Sequence, residues 1–198
     1  KRVLPNSFNW IVILTSNIDN RFSEFSETLK EANHVICLTE QSFSALKEKN
    51  INCSLFEFGV DDVYLSESDI DKSSLDVPTF LVNDKNLQQS NLAVVLDTFS
   101  EFVDYDFKLI LHTNYYEPGD YDLDYLTSKF RAGQVELPGD FVGLKEGISQ
   151  DELIKKYSKS HYVIDLSIKP LTSLCVLEGM SQGCLPIINR SGYLYEID

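Results

Sequence analysis

Short apolar runs rich in β-branched residues alternate along this chain with segments whose apolar positions recur at helical spacing. That is the pattern of a parallel sheet covered by helices. The apolar runs predict strands at 10–15, 34–38, 53–58, 79–82, 108–113, 140–143, 162–166 and 185–189. The segments between them predict helices at 23–31, 40–49, 91–103, 121–130, 149–160 and 173–182. The expected fold class is therefore α/β with a doubly wound parallel sheet.

Two helix starts are marked by local chemistry. Ser149-Gln150-Asp151-Glu152 places a hydroxyl cap and acids in a first turn, and Leu153, Ile154 and Tyr157 then supply an apolar face. Thr39-Glu40-Gln41-Ser42 does the same for the helix bearing Phe43 and Leu46, and Asn50 is placed to close it. The stretch 61–77 holds five aspartates and four serines without hydrophobic period, so it reads as a linker or surface loop. Residues 112–124, with Pro118-Gly119 among tyrosines and acids, read as a long loop at a strand end. No repeat at solenoid spacing is present.

With 198 residues, of which 43% are hydrophobic, the chain is long and apolar enough to bury a substantial core. Acidic residues outnumber basic ones by 31 to 17, and the resulting net charge of −14 repels phosphate backbones and anionic lipid. Nucleic acid is excluded as an expected partner; a small anion is not, because a helix N-terminus holds one whatever the overall charge. The four cysteines form no CxxC pair, which favours a reduced, cytoplasmic protein. No apolar stretch approaches the roughly 20 residues a membrane helix needs. His34, His112 and His161 are too scattered for metal ligation, so no metal is expected. A chain that starts at Lys1 without methionine and stops just past a strand and loop reads as a piece of a longer protein.

Residues 162–198 carry the candidate chemistry. A strand ends at Asp165-Leu166-Ser167, a loop runs through Lys169-Pro170-Leu171-Thr172, a helix follows over 173–182, and a further strand begins after Gly183. Ligands of open α/β sheets bind outside the carboxyl ends of strands, so this loop and first helical turn should face a crevice. The backbone amides of Ser173, Leu174 and Cys175 are natural donors to a diphosphate there. Glu178 stands about one and a half turns into the helix, and its carboxylate accepts two hydrogen bonds, as a ribose diol requires.

The stretch PLTSLCVLEGMSQGCLPIINRSGYLYEI at 170–197 resembles the signature of GT-B fold retaining glycosyltransferases, the family 4-like group 1 enzymes. The preceding DFVGLKEGISQDELIKKYSKSHYVIDLS at 140–167 is similar to their strand, loop, helix and strand. HVICLTEQSFSALKEKNINCSLFEFGVDD at 34–62 resembles the segment where their N-terminal domain hands over to the C-terminal one. The resemblance implies a Rossmann-like nucleotide-binding half at 78–198, a linker at 63–77, and the end of an acceptor-side domain at 1–62. It further implies that Glu178 binds the nucleotide ribose, that Thr172, Ser173 and Leu174 donate backbone bonds to the diphosphate, and that Gly143 and Leu144 lie beside the base.

Two departures from the family stand out. Pro170 occupies the position of its first motif glutamate, which faces the donor sugar, and the Arg and Lys that neutralise the leaving diphosphate fall in a stretch reading Asn83-Asp84-Lys85-Asn86, leaving Lys85 as the one catalytic candidate. These losses touch electrostatic stabilisation of the departing group, a large catalytic term, while sparing the ribose and backbone contacts. Two functions therefore stand side by side. One is a retaining transferase of polysaccharide biosynthesis that uses a nucleoside-diphosphate sugar, needs no cofactor or metal, and acts on a glycan, lipid or protein acceptor. The other is a catalytically inactive GT-B-like binding or assembly partner; contact with a membrane or a partner protein would come from regions outside this chain. Taken alone, Glu178 on an amphipathic helix is most often a solvated acid, and the tyrosines at 115–116 suit a surface turn as well as a sugar stack.

Overall fold

The computed structural model describes residues 11–14, 22–56, 59–65, 70–113, 120–137, 148–168 and 173–189. The chain forms two compact units, Lys1–Phe58 and Gly59–Asp198. In the first, strands β1 (Ile11–Leu14), β2 (His34–Cys37) and β3 (Cys53–Leu55) pair in parallel in that order, with helices α1 (Phe22–Glu31) and α2 (Glu40–Glu48) as crossovers. Leu29, Val35, Cys37, Leu46, Ile51 and Cys53 form its buried core. Thr39 caps α2 by accepting the Ser42 amide at 3.2 Å, and Asn50 follows the helix in the left-handed region at φ 56°, where asparagine is tolerated better than most residues.

The second unit is a five-stranded parallel sheet in the order β6-β5-β4-β7-β8. Its strands are β4 (Thr79–Asn83), β5 (Lys108–His112), β6 (Val135–Glu136), β7 (Tyr162–Asp165) and β8 (Leu185–Ile188); its helices are α3 (Leu92–Ser100), α4 (Leu123–Thr127), α5 (Gln150–Ser158) and α6 (Leu174–Ser181). The chain starts in the middle at β4, winds out through β5 to β6, then returns to add β7 and β8 on the other side. That is the doubly wound arrangement expected of the sequence.

Alternation along the strands sends apolar side chains to both faces, and each face is covered by its own helices. Val82, Leu109, Leu111 and Ile164 pack with Leu92, Val95 and Leu96 of α3 and Leu123 of α4. Leu81, Ile110 and Val163 pack on the other face with Tyr157 of α5 and Val176 of α6. The polar stretch after residue 59 belongs to this second core. Tyr64, in the 3-10 turn Asp62–Leu65, is buried in it. Lys72 donates from Nζ to the Tyr157 carbonyl at 3.2 Å and to the Ser160 carbonyl, closing the C-terminal end of α5.

Three elements depart from the predicted pattern. Helix α3 stops at Ser100, short of 103, and runs into turns. Helix α4 is only Leu123–Thr127, because Asp122 caps it by accepting the Tyr125 amide at 3.0 Å and the Tyr121 carbonyl is taken by the Asn86 side chain at 2.8 Å. Strand β6, two residues beside β5, has no counterpart among the predicted strands. The strand expected at 140–143 lies outside the described residues.

Candidate functional site

The strand order reverses between β4 and β7, and in such sheets the ligand crevice opens outside the carboxyl ends of the strands on either side of that reversal. Here those ends are Asn83-Asp84 and Asp165-Leu166-Ser167. Ser167 joins them: its hydroxyl donates to Asp84 Oδ2 at 2.8 Å and its backbone N–H to Asp165 Oδ1 at 2.9 Å. The Asn91 side chain donates to the Leu166 carbonyl at 2.8 Å, so the N-terminus of α3 is fixed to the same edge.

The facing side belongs to α6. Its N-cap, Ser173, makes no side-chain bond to the first-turn amides, because the hydroxyl is committed to Asp165 Oδ2. The first turn of α6 is thus left without the side-chain acceptor that a serine cap ordinarily supplies. The helix lies unusually close to the sheet. A Cβ on Gly179 would stand 2.9 Å from Val163 Cβ, so only glycine permits this approach.

Glu178, in the middle of α6, is half-buried and does not project into bulk water. Tyr157, wholly buried on α5, donates its hydroxyl to Glu178 Oε2 at 2.9 Å, and the Asn83 side-chain amide donates to the same hydroxyl at 2.7 Å. One tyrosine oxygen therefore joins the Glu178 carboxylate to the C-terminal end of β4. Burial pushes the Glu178 carboxyl above its ordinary value, and the Tyr157 hydrogen bond offsets part of that rise. Burial also pushes the neighbouring Cys175 thiol up to about 12, aided by the charges of Asp165, Asp84 and Glu178. Asp84, Asp165 and Glu178 thus act together on Cys175 as negative charges.

Of the residues singled out in the sequence, Ser173, Leu174 and Glu178 lie together on α6, with Leu174 exposed. Lys85 follows β4 on the surface, its backbone N–H on Asp84 Oδ1 at 2.6 Å, and its side chain makes no ion pair with any described residue. Pro170, Thr172, Gly143 and Leu144 lie outside the described residues. The sequence alone did not point to Asn83 or Tyr157. Tyr157 falls in the helical row of Leu153 and Ile154 and reads as apolar; the reach of its hydroxyl is decided by how α5 packs. Among the described residues no cluster of three His, Cys, Asp or Glu side chains is placed to hold a metal, and no helix is long and apolar enough to cross a membrane. An apolar cavity of about 400 Å3 lies elsewhere, at the N-terminal ends of β4 and β5, lined by Pro78, Phe80, Phe99, Phe102, Tyr105 and Phe107 among others.

Known structures share this fold. A glycosyltransferase from Rickettsia africae superposes with a TM-score of 0.67 at 17% identity, over 95% of this chain and 53% of that one. A sucrose-phosphate synthase from Thermosynechococcus elongatus gives 0.70 at 16% identity, over 94% and 51%. The fold is that of GT-B glycosyltransferases. An E. coli structure described as trehalose-6-phosphate bound with UDP-2-fluoro glucose gives 0.65 at 9% identity, over 90% and 52%. The chain spans about half the length of these GT-B structures. No protein-family model and no curated protein sequence matches it.

Proposed function

We propose that the second unit binds a nucleoside-diphosphate sugar, and that the chain is part of a glycosyltransferase that moves the sugar to a glycan, lipid or protein acceptor with retention of configuration. The observation that carries this reading is the placement of Glu178: a half-buried carboxylate held beside the strand-order reversal, on a helix whose first turn has no side-chain cap. The diphosphate would take backbone N–H groups at the start of α6, where the helix dipole favours an anion. The ribose hydroxyls would donate to Glu178. A structural neighbour bound with a UDP sugar supports the ligand class. The reading requires no metal ion or resident cofactor, and four free thiols suit a reducing, cytoplasmic setting for polysaccharide synthesis.

A second reading, a GT-B-like binding or assembly partner without catalysis, is favoured by one feature. Asp84 and Asp165, joined through Ser167, stand at the strand ends where a transferase needs cations for its departing diphosphate, and Lys85 is turned out to the surface.

Melting curves with UDP and GDP test ligand binding. A nucleotide present at a hundred times its Kd adds about 2.7 kcal/mol to stability, which is several degrees for a unit of this size. Unchanged melting at millimolar UDP and GDP removes the transferase reading and any nucleotide-binding form of the second. Where a shift is seen, Glu178→Ala is expected to abolish most of it, and hydrolysis of UDP- or GDP-sugars by the full-length protein separates transferase from partner.

A further inference from the structure

A carboxylate grips a vicinal diol well only when its plane is held in the right orientation. A glutamate side chain on a helix surface otherwise samples many rotamers, and ordering one costs up to about 2 kcal/mol. Glu178 is already ordered by the group that receives it. The polarity of its network follows from chemistry. A side-chain amide nitrogen only donates, and an ionised carboxylate only accepts, so the tyrosine oxygen between them accepts from Asn83 and donates to Glu178.

Packing fixes that tyrosine oxygen in space. The Tyr157 ring is fully buried, sits edge-on to Tyr64 with centroids 6.2 Å apart, and stands in the core with Leu81, Ile110 and Val163. Asn83 is the last residue of β4, in register with His112 of β5, so the other end of the chain of bonds is anchored in the sheet. A phenylalanine would fill the same space in the core. The hydroxyl is a polar group carried into a buried setting, which is costly unless both its bonding directions are used. They are used, and one of them points at the residue read above as the ribose acceptor.

We propose that Tyr157 is the positioning residue of the nucleotide site: held by Asn83, its hydroxyl binds one oxygen of Glu178 and turns the other toward the ligand ribose. The inference rests on the nucleotide-binding reading of Glu178 and adds what sets the geometry and the pH range of that contact. The titratable groups facing Glu178 are Tyr157 on α5, Tyr64 in the turn beside α6 and Cys175 on α6 itself, each pushed upward chiefly by burial. All three stay neutral in the range where a carboxylate titrates; Asp84 and Asp165 are further carboxylates at the strand ends, so the Glu178 midpoint is read at its own carboxyl carbon. Because its proton is held above the ordinary carboxyl value, nucleotide affinity is present at neutral pH and is lost on acidification sooner than for an exposed glutamate.

The experiment compares the parent with Tyr157→Phe in two measurements on the purified protein. The first follows the Glu178 side-chain carboxyl carbon by NMR through a pH titration without ligand. Loss of the hydrogen bond that favours the charged form should move its midpoint to higher pH, and an unmoved midpoint overturns the positioning role whatever the nucleotide result. The second titrates UDP at neutral pH, where Tyr157→Phe should bind about five- to tenfold more weakly and lose binding at a higher pH as the solution is acidified. Equal affinity in the two proteins also overturns the proposal. In a Glu178→Ala background, which leaves Tyr157 no side chain to position, the same Tyr157→Phe change should leave residual UDP affinity unaltered within about twofold; a full further loss there would mark a purely structural effect and defeat it. Absence of UDP binding by the parent, with the NMR midpoint shifted, refutes the nucleotide reading instead and confines Tyr157 to ordering a carboxylate of other use.

Discussion

The crevice has two unlike walls. On one side α5 and α6 present a carboxylate held by a buried tyrosine and a helix start whose capping serine is engaged elsewhere. On the other side, at the ends of β4 and β7, two aspartates are tied together by Ser167, and the nearby Lys85 points to solvent. In the function proposed above, the first wall would serve a nucleotide's ribose and backbone-bound phosphates. In that proposal, charge neutralisation during sugar transfer would fall to the second, whose described side chains include Asp84 and Asp165. The proposed binding and catalytic contributions thus depend on different elements, and mutations on one wall should leave the other's contribution readable.

The largest effect expected of a single change is on the first wall. Tyr157→Ala removes a wholly buried ring from the core under α5 and α6 and should cost about 3–5 kcal/mol of stability by denaturant unfolding. A loss under about 1 kcal/mol would show that α5 is not the support of that wall. Gly179→Ala comes next. Its new methyl meets Val163 Cβ at 2.9 Å, an atom that cannot swing aside, so α6 must shift from β7. Overpacking of this kind costs about 1–3 kcal/mol, against a gain of at most ~1 kcal/mol in helix propensity, and the shift should also weaken UDP binding. Ser149→Ala sharpens the comparison from outside the site. It breaks the capping box of α5, in which Ser149 and Glu152 exchange bonds at 3.0 and 3.3 Å, and should lower stability by about 1 kcal/mol with UDP affinity unchanged.

What was legible in the sequence divides along the same line between local and tertiary causes. The caps at Ser149 and Thr39 and the glycine after α6 act within a few residues, so the starts of α2 and α5 and the end of α6 stand where the pattern puts them. The strand–loop–helix–strand order around Glu178 marks the crevice because parallel α/β sheets have few ways to wind. Strand β6 escapes the pattern, since two residues carry no period; Gln134 just before it is fixed by side-chain bonds to the Val103 and Tyr105 carbonyls, far away in sequence. Tyr157 and Asn83 escape for the same reason. Nothing near them in sequence tells that one hydroxyl will stand between a strand end and a helix carboxylate.

The smallest predicted effect bears most directly on the second wall. Asp84→Asn keeps its oxygen for the Lys85 backbone N–H, lets its amide nitrogen donate to the Ser167 hydroxyl oxygen, and removes one negative charge beside the place proposed for the diphosphate. Two unit charges several ångströms apart in a largely solvated cleft interact by less than about 1 kcal/mol, so UDP should bind about two- to fivefold more tightly at low salt. The gain should shrink as ionic strength rises, because the repulsion it relieves is screened. Ordinary melting curves in the absence of nucleotide separate this from a change in fold. If the variant instead binds UDP more weakly, Asp84 is a ligand-side acceptor; the β4 wall then contributes contacts to the nucleotide, and the division between a binding wall and a degraded catalytic one fails.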